Sequence, residues 1–103
     1  MRDEKHLQFI LDELNVLMVR KNQDYGPYNI AHAPGGAMNG LLVRMHDKME
    51  RLKHLHYNRA SDTPNYESVE DTLKDLANYA IIGLMVQRGQ WEGTDASGVS
   101  KRV

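Results

Sequence analysis

Glu67, Asp71 and Asp75 recur at i, i+4 and i+8, with Asn78 three residues further on. That spacing lines their side chains along one face of a helix. A row of oxygen donors is what a hard cation such as Mg²⁺ takes as ligands. A solvated acidic first turn is the competing reading. Acidic side chains oppose the positive end of the helix dipole, each contributing about 0.3–1 kcal/mol, and this accounts for Glu67, Glu70 and Asp71. It does not account for Asp75, which lies deeper and is flanked by apolar residues.

Two basic clusters bear on phosphate chemistry. Arg44, Lys48 and Arg51 fall at i, i+4 and i+7 along one helix flank. Three such cations could hold a polyphosphate, arginine being suited to bidentate oxygen contacts, or they could form an ordinary charged surface. Asp47, Glu50 and His54 run along the neighbouring flank, with Asp47 placed to orient Arg51. Lys21, Asp24, Tyr25 and Tyr28 surround a turn marked by Gly26-Pro27. Either this is a capped loop whose tyrosines cover the end of a bundle, or it is a ligand clamp. In the clamp, Lys21 meets a phosphate and a tyrosine lies against a base or sugar. His46, His54 and His56 lack the cysteines or the H-E-x-x-H spacing of a zinc site and read as surface histidines. The Gly35-Gly36 pair matches neither a Walker loop nor a dinucleotide fingerprint, and reads as a loop or lid leading into a helix.

Composition narrows the classes. A chain of 103 residues is one domain, able to bury roughly 60–68% of its unfolded surface without staples. A formal charge of −1 argues against bulk nucleic-acid binding. With no cysteine, disulfides and zinc–thiolate chemistry are excluded. The first residues read as neither a signal peptide nor a membrane span, so a cytoplasmic protein is expected, in the bacterial host if the gene is a phage's. One Phe, one Trp and few β-branched runs favour an all-α domain with an aliphatic core.

The elements that must position these residues follow from apolar periodicity. A first helix is predicted from Asp3 to Lys21, with Leu7, Ile10, Leu11, Leu14, Leu17 and Met18 as its stripe. Phe9, Val16 and Val19 form a weaker second strip. A second helix is predicted from Ala37 to His56 on Met38, Leu41, Leu42, Met45, Met49 and Leu52. A third runs from Glu67 to Gln87, its core stripe being Val69, Leu73, Leu76, Ala77, Ala80, Ile81 and Leu84. Opposite that stripe the carboxylate row gives way to Tyr79, Ile82, Met85 and Val86. The polar connection 57–66 reverses the chain, setting helices two and three antiparallel and their acidic residues level. The expected fold is therefore an antiparallel bundle of about three main helices, its core completed by oligomerisation as a homodimer or higher homo-oligomer. Residues 1–90 form the domain, and 91–103 a flexible tail with Trp91 tucked onto the bundle.

Three segments together carry a resemblance: Lys21-x-x-Asp24-Tyr25-Gly26, Arg44-x-x-Asp47-Lys48-x-x-Arg51-x-x-x-Leu55, and Glu67-x-x-x-Asp71-Thr72-x-x-Asp75-Leu76-x-Asn78-Tyr79. Their ordered combination resembles the nucleotide modification associated domain family, small helical proteins found largely in phages and bacteria. That family resembles in turn the all-α nucleoside triphosphate pyrophosphatases of the MazG type, which bind Mg²⁺ through an E-x-x-E and an E-x-x-D pair. The nearest counterparts are Asp47-x-x-Glu50 and Asp71 with Asp75; Thr72 stands where the second pair would carry Glu. The resemblance implies a metal (Mg²⁺ or Mn²⁺) on Asp47, Glu50, Asp71 and Asp75, with Glu67 or Glu70 orienting the water. It implies phosphates on Lys21, Arg44, Lys48 and Arg51, and a nucleotide held by Asp24, Tyr25, Tyr28 and Asn78. Two classes follow from it. One is a Mg²⁺-dependent nucleotide pyrophosphohydrolase; the other is a nucleotide-binding protein without turnover, which sequesters its ligand or assists a partner enzyme.

Overall fold

The computed structural model describes residues 2–58 and 68–94. Four helices make up the described chain: α1 (Glu4–Tyr25), α2 (Tyr28–Ala31), α3 (Ala37–Tyr57) and α4 (Val69–Gln87). No strand occurs among the described residues, and the fold is all-α as its apolar periodicity predicts. The expected reversing segment lies largely outside the described residues, as does Glu67.

Helix ends follow local chemistry. Helix α1 runs a full turn past its predicted end, carrying Lys21 and Tyr25 on its last turns. It stops at Gly26, whose φ of 72° suits a residue without Cβ, and whose N–H donates to the carbonyl of Asn22 at 2.8 Å. Helix α2 is one turn inside the stretch read as loop, and it exists to bury Ile30 and Ala31. Helix α4 opens with a capping box. Ser68 Oγ accepts the N–H of Asp71 at 3.0 Å, and the Asp71 carboxylate accepts the Ser68 N–H at 3.2 Å.

Helices α3 and α4 lie antiparallel, because Leu41 and Met38 lie beside Gly83 while Lys48 meets Asp75. Their contact holds the core: Ile30, Ala31, Ala37, Leu41, Ile82, Val86 and Trp91. Leu41 and Val86 are completely buried, each contributing about 1.5–3 kcal/mol relative to an exposed side chain. The packed chain continues past α4, for Trp91 is buried and donates its indole N–H to the carbonyl of Pro27 at 2.9 Å. Thr94, also buried, closes the turn on the carbonyl of Trp91.

Helix α4 faces the other way from its apolar periodicity. Thr72, Asp75, Asn78, Ile82, Gly83 and Val86 point inward, whereas Val69, Leu73, Ala80 and Leu84 are exposed. The mixed polar face can turn in because its polar groups find partners on α1 and α3. A periodicity argument weighs hydrophobicity alone and does not register those partners. The apolar strip opposite the predicted stripe joins the core, Ile82 and Val86 within it and Tyr79 and Met85 packed against it.

Candidate functional site

Asp75 is the centre of the arrangement. Lys21 of α1 donates to its Oδ1 at 2.7 Å, and Lys48 of α3 approaches Oδ2 at 2.9 Å. One carboxylate on α4 therefore ties together all three long helices. Its side chain is only 10% exposed, so the two ammonium groups do what water does for an exposed acid. Burial works to raise the Asp75 pKa; the hydrogen bonds and charges of Lys21 and Lys48 outweigh it and hold the carboxyl below its ordinary range. Three residues along, Asn78 is 7% exposed and donates Nδ2 to the carbonyl of Leu14 at 3.2 Å. Its Oδ1 is buried with no hydrogen-bond partner. On the outer edge, Lys74 bridges Glu13 of α1 at 2.9 Å and Glu70 at 3.5 Å.

Above Asp75 opens a cavity of about 340 Å³, a size at the lower end of small-molecule sites. Lys21, Arg44, Lys48 and Asp75 are its charged lining, so three cations face one carboxylate. Its walls are Tyr25, Tyr79, Trp91, Met18, Ile30 and Ile82, with Asn22, Asn29 and Asn78 as neutral polar groups. Arg44 is held in place by donating to the carbonyl of Asn29 at 3.3 Å. The chemistry on offer is an excess of positive charge beside flat apolar surfaces, which suits an anionic ligand with an aromatic part. An ammonium carries three N–H donors, so one bond to Asp75 leaves Lys21, half-exposed, able to hold an anion as well.

The structure gathers five of the nucleotide-contact residues named from sequence around this cavity: Lys21, Tyr25, Arg44, Lys48 and Asn78. It does not bring Asp24, Tyr28 or Arg51 to the cavity wall. Tyr28 instead stacks on His32 with ring centroids 4.9 Å apart. The residues named for a metal are dispersed. Asp71 is engaged in the capping box, both Asp75 oxygens are on lysines, and Asp47 and Glu50 are exposed on α3, with Glu50 paired to Lys53 at 3.1 Å. Among the described residues no three histidine or acidic side chains are grouped to hold a metal ion. Thr72 is fully buried and returns its hydroxyl to the carbonyl of Ser68 at 2.9 Å. Glu70 lies on the exposed first turn beside Lys74.

Tyr79, Trp91, Asn22 and Asn29 line the cavity without having been singled out from sequence. In the sequence Tyr79 belongs to an apolar strip and to the third segment of the resemblance, and Trp91 to a tail tucked onto the bundle, neither of which marks a ligand site. One signal was available: Asn22 lies four residues past Met18 and beside Lys21, on the helix face that reaches Asp75.

Residues 21–86, well over half of the chain, match the family described as nucleotide modification associated domain 1. The chain belongs to that family. No curated protein and no solved structure matches it. The matched segment begins at Lys21 and contains Arg44, Lys48, Asp75, Asn78 and Tyr79, so it holds every charged residue of the cavity. No helix among the described residues is long and apolar enough to cross a membrane.

Proposed function

We propose that this member of the nucleotide modification associated domain 1 family binds a nucleotide in the cavity between α1, α3 and α4. The observation that carries the reading is the lining itself, three cations against one carboxylate with three aromatic side chains around them. Lys21, Lys48 and Arg44 take the phosphates. Tyr25, Tyr79 and Trp91 give the base a flat surface, where stacking contributes about 1–3 kcal/mol. Asp75 is a positioning residue: it sets the two ammonium groups around one point before the ligand arrives, so that less side-chain ordering is left to the binding step.

Hydrolysis of the bound nucleotide to a monophosphate and pyrophosphate, with Mg²⁺, is the second reading. What favours it is that Asp47 and Glu50 keep exposed carboxylates on the helix that also carries Arg44 and Lys48. Among the described residues no set of metal ligands is assembled.

The test is a panel of nucleoside mono-, di- and triphosphates, with Mg²⁺ or Mn²⁺ and with EDTA. Thermal shift reports binding, and ion-exchange chromatography reports products. Stabilisation without product supports a binding protein, and metal-dependent monophosphate with pyrophosphate supports the hydrolase. No stabilisation and no product across the panel contradicts both.

A further inference from the structure

The α3–α4 hairpin has two faces, and the described residues cover only one. Helix α1 and the cavity lie on the side of Asn78, Lys74 and Asp75. The other side presents Met38, Leu42 and Met49 from α3, with Val69, Leu73 and Leu84 from α4. Met38 reaches Gly83 at the seam between the two helices, so the exposed α3 side chains border the α4 stripe. Leu42, Leu73 and Leu84 are 57, 50 and 52% exposed. Together the six side chains leave on the order of 500 Å² of apolar surface open, comparable with the largest patches on ordinary monomers. A layer of two helices is stable when both of its apolar sides are covered.

The α4 stripe is a palindrome about the point between Asn78 and Tyr79. Leu73 and Leu84 are equidistant from that point, as are Leu76 and Ile81, and Ala77 and Ala80. Turned about a two-fold axis through the centre, an antiparallel copy sets Leu73 against Leu84 of the partner subunit. The small Ala77 and Ala80 then let the two helices approach closely. A two-fold interface demands this self-complementarity, in which residue i meets j and j meets i. The stripe from Leu73 to Leu84 carries no charge on its outward side, at Leu76, Ala77 and Ala80. A foreign partner has no reason to impose a palindrome; a second copy does.

We infer that the protein is a two-fold dimer in which α4 pairs antiparallel with the α4 of a second copy, flanked by Met38, Leu42 and Met49. With the partly exposed Leu76 and Ile81 added, the face offers about 600 Å² per chain, the lower end of a specific two-chain interface. This face lies across the hairpin from the cavity, so the inference is independent of nucleotide binding.

Sedimentation equilibrium and light scattering test it on the full chain. The expected mass is twice 11.8 kDa. Leu73→Glu and Leu84→Lys each place a charge in the contact and raise the dimer dissociation constant at least about tenfold, with an unchanged circular dichroism spectrum because both positions are exposed in the single chain. In the double variant L73E/L84K each new acid faces a new lysine across the two-fold axis, and the dimer returns. A wild-type protein that stays monomeric from low to high micromolar concentration overturns the inference. So does a dimer that survives L73E intact, or a double variant that is no more associated than the single ones.

Discussion

Lys21 and Lys48 reach Asp75 from two different helices, one on each carboxylate oxygen, at 2.7 and 2.9 Å. The pair of contacts explains how an acid can sit inside a bundle, and it is why the polar side of α4 rather than its apolar stripe is turned inward. Replacing Asp75 with Asn removes the charge that both lysines answer. A loss of about 1–3 kcal/mol of stability is expected, moderated because Lys21 is half-exposed and can turn to water. Urea unfolding of the two proteins checks this, and equal midpoints would remove Asp75 from its structural role.

The same carboxylate sets a pH dependence. Its pKa is lowered on folding from an ordinary 3.8, so its contribution is fully present above that value and is lost as pH falls through the native one. The stability difference between wild type and D75N is therefore constant near neutrality and shrinks below about pH 4. Unfolding curves from pH 7 to pH 3 measure it. A difference that grows in acid would show that Asp75 is not stabilised by its lysines.

Asp71 tests whether the acidic row acts as ligands or as a cap. Its pKa is lowered first by the backbone N–H of Ser68 and then by the Ser68 hydroxyl, which are capping contacts. Ser68→Ala should cost about 0.5–2 kcal/mol of stability, and Asp71→Ala should destabilise in the same direction. Nucleotide affinity should stay unchanged at temperatures where the variants are folded. Loss of binding in folded D71A, read by calorimetry, would return Asp71 to the site.

Asn78 holds α1 by donating to the Leu14 carbonyl, while its own Oδ1 lacks a partner beneath the cavity. Asn78→Ala removes the side-chain bond that ties α4 to that carbonyl, which keeps its helical donor, and should destabilise by about 0.5–1.5 kcal/mol. Hydrogen exchange should then rise along α1, which has Leu14 as its only buried residue. Unchanged exchange in α1 would mean that Asn78 does not anchor it.

How far the sequence could be read varies with what partners each residue. Helix boundaries followed from periodicity and punctuation, and α3 and α4 begin and end within two residues of expectation. That Arg44 and Lys48 share a side was legible because cation spacing along a helix survives folding, whereas spacing could not show that Lys21 joins them from α1 or that Arg51 stays off the cavity wall. The direction of α4 was not. Val69, Leu73, Ala80 and Leu84 form the stronger apolar stripe, and only the lysines on distant helices and the Leu14 carbonyl make the opposite face the inner one. Trp91 packs onto the bundle as expected, but its place in the cavity wall was not legible, because it depends on the Pro27 carbonyl, 64 residues away in sequence. Of the four residues that the resemblance implies for a metal, Asp71 and Asp75 stand in one helical row, and a row cannot reveal that Ser68 contacts the first and two lysines the second.

Trp91 is the single tryptophan of the chain and lines the cavity, so its fluorescence reports occupancy directly. The most direct measurement is a titration of that fluorescence with the nucleotide panel in wild type and in Lys48→Ala. Binding through the lysines predicts a saturable change with at least one nucleotide, and an affinity lower by roughly 10–100-fold in K48A at unchanged helicity. A K48A protein that binds as tightly as wild type, or a wild-type protein whose Trp91 responds to no nucleotide, contradicts the assignment of this cavity.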